Sequence, residues 1–400
     1  MSAAEAERAR PVLRLAKNQD RRLRSGHLWV FSNEIAEIEG SPGPGAEVLV
    51  EDHRGGPVGV GLYNPHSLIA ARLYTRAPKA VDAALLRDRL RRAAELRARL
   101  YPADATYRLV YGESDYLPGL VVDRYGEYLA VQSLTVGIEQ RIETVLDLLE
   151  EEWKPAGIVC RRDSPARERE GLALLPPLLR GEVPDRVDAL HEGLVITVDL
   201  LEGQKTGEFL DQRHNRRRVA QESRGRQVLD LYCHTGLFAL QCALAGASSV
   251  LGIDRSGPAI ERARRNLERN APDRPCEFRE GGVEDAMDAF ERDGARFDLI
   301  VLDPPSLVKG RKDLADGVRK YVSVNAQALR LLRPDGVLAT ATCSHHVDAP
   351  LFLDILREAS KRAKTELRLV EVMGQSRDHP VLLAARETSY LTMLLLERMR

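Results

Sequence analysis

Through the C-terminal half of the chain, apolar runs of five to seven residues alternate with stretches of helical spacing. Gln227-Val-Leu-Asp-Leu-Tyr-Cys-His-Thr-Gly236 reads as a short strand entering a tight turn, and Leu237–Ala245 as the helix it opens, closed by Gly246. Ser249–Asp254 predicts a second strand. Phe297–Asp303 predicts a third, parallel one that runs into Pro304-Pro305-Ser306. Before them come the strand Leu194–Val198, the polar turn Gly203–Gly207 and the segment Glu208–Arg218. After them come helical spacing over Ala326–Leu332 and 352–364, and strands at Val337–Cys343 and Tyr390–Leu396, the last expected to close the sheet. Alternation of this kind predicts a doubly wound, Rossmann-like α/β domain over residues 189–400.

The first half has a different rhythm. Val12–Leu15, Trp29–Phe31, Ala46–Val50, Pro57–Gly61 and Ser67–Tyr74 are short strands. They are separated by the turn Ser41-Pro-Gly-Pro-Gly45 and a hairpin at His53–Gly56. These predict a small β-barrel-like domain over 1–77. Residues 78–188 predict an α+β domain: a helix over Val81–Leu100 ended by Pro102, strands at Tyr107–Tyr111, Leu120–Asp123, Tyr128–Gln132 and Gly157–Cys160, and a helix from Ile138 to Trp153. Charges of both signs crowd Arg161–Glu170, which predicts a solvated loop. Asp115 and Asp123 read as turn and cap residues.

Composition narrows the partners. The chain has 400 residues, 44% of them hydrophobic and 30% charged, with a formal net charge of −1. Such a chain builds real cores in two or three domains and is no polycation, so affinity for a nucleic acid must come from a local patch. One candidate is the first 30 positions, where seven basic residues, including Arg21, Arg22 and Arg24, face three acidic ones; a solvated charged face is the alternative. Lysine supplies nine of the 59 basic side chains, which base composition of the genome explains as well as function does. Cys160, Cys233, Cys242, Cys276 and Cys343 form no C-x-x-C pair, so neither a disulfide framework nor a metal site is expected. No apolar run reaches roughly 18 residues, and a soluble, cytoplasmic protein without membrane contact is expected.

The candidate chemistry sits at strand ends. Asp254 follows Asp230 by 24 residues, the separation at which an acidic side chain reaches a ribose diol across adjacent strands. The turn has Gly236 as its one glycine and matches neither a three-glycine dinucleotide fingerprint nor a P-loop. That favours a nucleoside ligand without pyrophosphate, such as S-adenosylmethionine. Asp303, before two prolines that lack N–H donors, offers a carboxylate to an amine or imide N–H of a nucleobase. Cys343, flanked by Thr342 and Ser344, carries the soft nucleophile needed to add to C6 of a pyrimidine and make C5 electron-rich. Its thiolate needs a positive environment, for which His345 and His346 are candidates.

Together these features resemble the bacterial 23S rRNA cytosine-5 methyltransferase family of the large-subunit methyltransferase I type. The resemblance is carried by Gly26-His-Leu-Trp-Val-Phe31, Gly112-Glu-Ser-Asp115, Lys205-Thr-Gly207, Leu210-Asp-Gln-Arg213, Asp303-Pro-Pro305, Thr342-Cys-Ser344 and Asp378-His-Pro380. It implies an N-terminal PUA RNA-binding domain, a central α+β domain and a C-terminal methyltransferase domain. It further implies Cys343 as nucleophile, Asp303 gripping the base, and S-adenosylmethionine held by Lys205, Thr206, Gly207, Asp211, Arg213, Asp230, Tyr232, Thr235, Gly236, Asp254, Arg255, Asp303 and Pro304. Lys309, Arg311 and Lys312 would meet RNA phosphate, and a homodimer is possible. The chain departs from the family's pattern at Tyr232-Cys-His-Thr-Gly-Leu-Phe238. It also has Gly281-Gly282 where an adenine-side carboxylate is usual, leaving Glu280, Glu284 or Asp285 as substitutes. Competing readings are a uridine-5 methyltransferase and a non-catalytic RNA-binding assembly factor.

Overall fold

The structure, a computed structural model, describes residues 10–203, 206–271, 273–308 and 310–400. They form two compact units. The first is made of residues up to Gly193 with Val198–Leu210 and Arg377–Thr388; the second is made of Leu194–Thr197, Asp211–Ser376 and Ser389–Arg400.

Two sheets build the first unit. β1 (Val12–Leu15), β2 (Trp29–Phe31), β3 (Ile35–Glu39), β4 (Glu47–Glu51), β5 (Pro57–Tyr63) and β6 (Ile69–Thr75) pair in the order β2-β6-β5-β4-β1-β3, with α1 (Arg21–Arg24) between the first two strands in sequence. Next in the chain is α2 (Ala83–Leu100), whose first turn is capped by Asp82 accepting from the Leu85 N–H at 2.9 Å. β7 (Thr106–Tyr111), β8 (Leu120–Tyr125), β9 (Tyr128–Ser133), β10 (Gly157–Arg162) and β11 (Leu175–Gly181) form the second sheet in reverse order. β9 and β10 run parallel, as their helical crossover requires. That crossover is two helices, α3 (Val136–Glu139) and α4 (Ile142–Trp153), where the sequence predicts one. Val60, Leu62 and Tyr74 of the first sheet share an apolar cluster with Leu90, Leu109, Val122, Val131, Leu146 and Ile158. The barrel-like and α+β regions therefore fold around common ground.

Several charged residues expected at the surface are structural. Arg161–Glu170 is not a solvated loop: Arg167 is 0% exposed and donates to the Ser133 carbonyl at 2.6 Å and the Glu139 carboxylate at 2.7 Å. Glu170 is buried as well, taking the Arg72 guanidinium on both oxygens at 2.8 and 3.0 Å. Asp115 is no simple turn residue, since it pairs with buried Arg97 at 2.6 and 2.8 Å. Asp123 is no cap either; it pairs with Arg108, accepts from the Thr206 hydroxyl and is fully buried. Bidentate pairing is what makes burial of these charges tolerable. The same region binds the Asp378-His-Pro380 segment, with Arg97 donating to the Asp378 carbonyl at 2.7 Å and the Arg108 N–H to its carboxylate at 2.8 Å.

β12 (Arg186–His191) and β13 (Leu194–Asp199) follow in sequence. The second unit is a seven-stranded sheet of β14 (Gln227–Leu231), β15 (Ser249–Asp254), β16 (Cys276–Glu280), β17 (Phe297–Leu302), β18 (Leu332–Thr342), β19 (Leu367–Gly374) and β20 (Thr392–Arg398), in the order β16-β15-β14-β17-β18-β20-β19. The first five in that order are parallel and β20 is antiparallel to both neighbours. The last strand in sequence does not close the sheet; β19, which sequence patterning missed, holds the edge. Its Leu369, Val370 and Val372 are exposed, so it lacks the buried alternation that marks a strand. Helices α5 (Arg213–Ala220), α6 (Leu237–Leu244) and α7 (Gly257–Asn270) supply residues to one apolar layer, and α8 (Val283–Arg292), α9 (Leu314–Leu331) and α10 (Ala349–Ala363) to the other. With both faces covered, β14 and β17 are apolar almost without break.

Candidate active site

Strand order reverses at β14, whose neighbours β15 and β17 are reached by connections running in opposite directions along the sheet. Ligands of open α/β sheets bind outside the carboxyl ends of the strands at such a point. Pairing aligns those ends: Leu231 lies opposite Leu302, Leu302 opposite Thr340, and Asp254 opposite Glu280.

The turn after β14 is tightly wound. Tyr232, His234 and Gly236 all have positive φ, at 63°, 49° and 77°. For two non-glycine residues this conformation is unfavourable and must be held by surrounding contacts. The Cys233 N–H donates to the Ile253 carbonyl at 3.1 Å, the His234 N–H to Asp254 at 3.0 Å, and Asn266 to the Thr235 carbonyl at 3.1 Å. Asp230 lies beneath the turn, 1% exposed, accepting from the Ala239 N–H at 3.0 Å in the first turn of α6. Burial raises its pKa well above the usual carboxylate range, helped by the charges of Asp303 and Asp254. Its structural task is to fix the helix entrance. Asp254 is half-buried, and each of its oxygens takes one backbone N–H, from His234 and from Ser256 at 2.9 Å. Every carboxylate oxygen has a second lone pair, so the group retains capacity for ribose hydroxyls. An S-adenosyl nucleoside fits this donor set, which has no glycine-lined cradle for a pyrophosphate.

Asp303 and Cys343 stand just past β17 and β18. Asp303 is half-buried and accepts from Gln212 Nε2 at 2.7 Å, while Gln212 Oε1 accepts from Asn215 Nδ2 at 2.6 Å. The Asn215 donor fixes which way the Gln212 amide faces. Sequence reading missed both residues; the amide inside Leu210-Asp-Gln-Arg213 was the available signal. Cys343 is partly exposed. The other thiols are poor nucleophiles: burial pushes Cys160 and Cys276 up to about 12, and Cys233 and Cys242 further still. His345 and His346 are exposed, and the His345 ring lies 5.7 Å from that of Tyr390.

The remaining expected site residues divide. Asp211 is buried, its carboxylate taking the Tyr390 hydroxyl and its carbonyl the Ser376 N–H at 2.8 Å. Arg213 and Pro304 are buried, while Arg255 is exposed beside Asp254. Thr206 and Gly207 belong to the first unit, where Thr206 is tied to Asp123; Lys205 and Lys309 lie outside the described residues. Glu280, Glu284 and Asp285 are all exposed, Glu280 at the end of β16 and the other two in the first turn of α8. Arg311 and Lys312 are exposed in a short turn before α9. The N-terminal basic run is largely compensated. Arg22 grips Glu34 at 2.9 and 3.0 Å and lies 4.8 Å over the Phe31 ring, and Arg24 pairs with Asp20 and Asp52 at 2.6 and 2.7 Å. Arg21 is exposed and touches Asn18. As an electrostatic patch this run is weaker than its sequence suggests, because Glu34 before β3 and Asp52 in the β4–β5 turn add to its own Asp20. No group of three His, Cys, Asp or Glu among the described residues is placed to hold a metal ion, and no described helix is long and apolar enough to cross a membrane.

A parallel sheet with this order, a one-glycine turn at its switch point and a terminal antiparallel pair are the fold of an S-adenosylmethionine-dependent methyltransferase. Comparison with known proteins agrees: residues 173–393 match the S-adenosylmethionine-dependent methyltransferase family and residues 13–76 a PUA-like domain. A ribosomal RNA large subunit methyltransferase I of Shewanella denitrificans is 37% identical over 95% of this chain and 97% of its own length. One from Escherichia coli O139:H28 is 35% identical over 94% and 96%. The chain belongs to the ribosomal RNA large subunit methyltransferase I family. Among solved structures, a SAM-dependent methyltransferase from Streptococcus mutans superposes with a TM-score of 0.83 at 18% identity, covering 96% of this chain and 99% of that one. A methyltransferase complexed with SAH reaches 0.84 with the same identity and coverage. At that identity the likeness is one of fold.

Proposed function

We propose that this protein methylates C5 of a cytosine in 23S rRNA through a covalent Cys343–C6 adduct. The observation that supports the reading is a partly exposed thiol and a half-buried carboxylate standing just past the ends of adjacent strands, while burial raises the pKa of each of the other four thiols. Cys343 Sγ adds to C6, and the C5=C6 electron pair becomes available at C5. S-adenosylmethionine supplies the electrophilic methyl group. Loss of the C5 proton to a base then restores the double bond and expels the Cys343 thiolate. Asp303, aligned by Gln212, accepts from the cytosine exocyclic amine and orients the ring. The resemblance-derived cofactor set, Lys205, Thr206, Gly207, Asp211, Arg213, Asp230, Tyr232, Thr235, Gly236, Asp254, Arg255, Asp303 and Pro304, stands as part of this proposal. So do a PUA-like RNA-binding domain over 1–77, a central domain over 78–188 and a catalytic domain over 189–400, with Arg311 and Lys312 toward RNA phosphate.

Labelled S-adenosylmethionine and unmethylated 23S rRNA, followed by digestion to nucleosides, test the base assignment. The expected product is 5-methylcytidine. Label in 5-methyluridine would turn the reading to the uridine-5 reaction, and no transfer with no cofactor binding by calorimetry would leave an assembly factor.

Gln212→Leu keeps the volume but removes the bond to Asp303. A hydrogen bond to a charged group contributes about 1.5–3 kcal/mol, so kcat is expected to fall about tenfold or more while cofactor affinity holds. Steady-state kinetics would check this; an unchanged kcat would mean that Asp303 needs no such alignment.

A further inference from the structure

Thr342 and Ser344, the neighbours of partly exposed Cys343, are both buried. Their hydroxyls lie in one hydrogen-bonded chain. Thr342 Oγ1 donates to the Tyr321 hydroxyl at 2.9 Å, Tyr321 lies 3.0 Å from Ser344 Oγ, Ser344 Oγ lies 2.8 Å from Ser306 Oγ, and Ser306 donates to the Val308 carbonyl at 3.0 Å. Each hydroxyl has one proton to give. Since the carbonyl can only accept, Ser306 spends its proton there, Ser344 donates to Ser306, and Tyr321 donates to Ser344. The chain thus runs in one direction, and each link strengthens the next.

Tyr321 is its hub. The residue is 0% exposed, and burial raises its phenol, which stays protonated and donating at neutral pH. Its own position is fixed from two sides: Asn325 donates to the Tyr321 carbonyl at 2.8 Å while accepting from Thr340 of β18 at 2.8 Å, and the ring meets Phe352 edge-on at 5.9 Å. The chain joins the loop after β17, which begins with Asp303, to the end of β18, which carries Cys343.

We propose that Tyr321 is a positioning residue that, through Ser344 and Ser306, holds the Asp303-Pro-Pro-Ser306 loop and the Thr342-Cys-Ser344 loop at a fixed separation while one pyrimidine is gripped and attacked. This rests on the cytosine-5 reading above. It also accounts for a small hydroxyl at position 306, since the side chain there is a fastening between loops and not a surface for stacking on a base.

Tyr321→Phe, Ser306→Ala and the double variant test it, with kcat and KM for rRNA, the cofactor Kd and thermal melting measured on each. A small displacement of reacting groups can cost about 100-fold in rate; Tyr321→Phe is expected to lower kcat by about 10- to 100-fold, with KM and Kd unchanged. Members of one network do not add, so the double variant should fall no further than Tyr321→Phe. An unchanged kcat, additive losses, or a fall that follows only the loss of folded protein would overturn the proposal. Should Tyr321→Phe fail to fold, Ser306→Ala alone carries the same expectation. The native product decides the underlying reading separately: a methylated nucleoside other than 5-methylcytidine defeats the base assignment, whereas 5-methylcytidine made equally fast by the variants defeats only the role given to Tyr321.

Discussion

Cys343→Ala is expected to abolish methyl transfer, with a fall of at least about 1,000-fold in kcat, because under the proposed mechanism it removes the nucleophile and with it the covalent route. Cofactor affinity should stay near native, and so should folding, since Cys343 is partly exposed and only flanks the apolar layer. No other thiol can take over. Cys160 belongs to the first unit's core, and Cys233, Cys242 and Cys276 are held protonated by burial, with the charge of Asp230 adding to the effect. RNA carrying 5-fluorocytosine gives the sharper readout. Fluorine cannot leave C5 as a proton does, so the native enzyme should arrest as a protein–RNA adduct on a denaturing gel, and Cys343→Ala should give none. Transfer that survives in the alanine variant would sink the covalent mechanism, and an adduct formed through another residue would move the nucleophile elsewhere.

What could be read from the sequence follows physical range. The strands β14, β15 and β17 announce themselves because burial on both faces demands unbroken apolar runs, and the turn after β14 because its glycine falls where a helix must start. Cys343 and Asp303 were visible for the same reason: they sit one residue past such runs, on two neighbouring parallel strands. Ion pairs are different. Arg72 and Glu170 are 98 residues apart, and Arg24 meets Asp52 across 28. A charge-rich stretch such as Arg161–Glu170 looks the same whether its partners are water or buried guanidinium groups. Arg22 and Arg24 misled in the same way, because two of their partners, Glu34 and Asp52, lie 12 and 28 residues away. The hydroxyl chain at Tyr321 was illegible too, since Ser, Thr and Tyr carry no distinctive spacing until α9 is laid against β18.

Gly236→Ala should be the most damaging single methyl group that can be added near the turn after β14. At φ 77° an L residue is strained, and a Cβ built there would lie 2.5 Å from the Phe278 ring and 2.9 Å from Ala263. Phe278 is buried on β16 and Ala263 is on α7, so neither can step aside without opening the apolar layer beneath the turn. Left-handed backbone costs about 1–2 kcal/mol for a residue with a Cβ, and overpacking a filled site about 1–3 kcal/mol. Together they predict a loss of about 2–5 kcal/mol on unfolding by urea, a large share of the stability of an ordinary domain. Gly225→Ala provides the comparison, because its φ of 72° imposes similar backbone strain with nothing within 4 Å of the new Cβ. It should lose only the first contribution and keep native cofactor affinity, while Gly236→Ala, by shifting the turn that carries His234 and Thr235, should also weaken S-adenosylmethionine binding by calorimetry. Equal losses in the two variants would show that backbone conformation alone matters there and that Phe278 does not brace the turn.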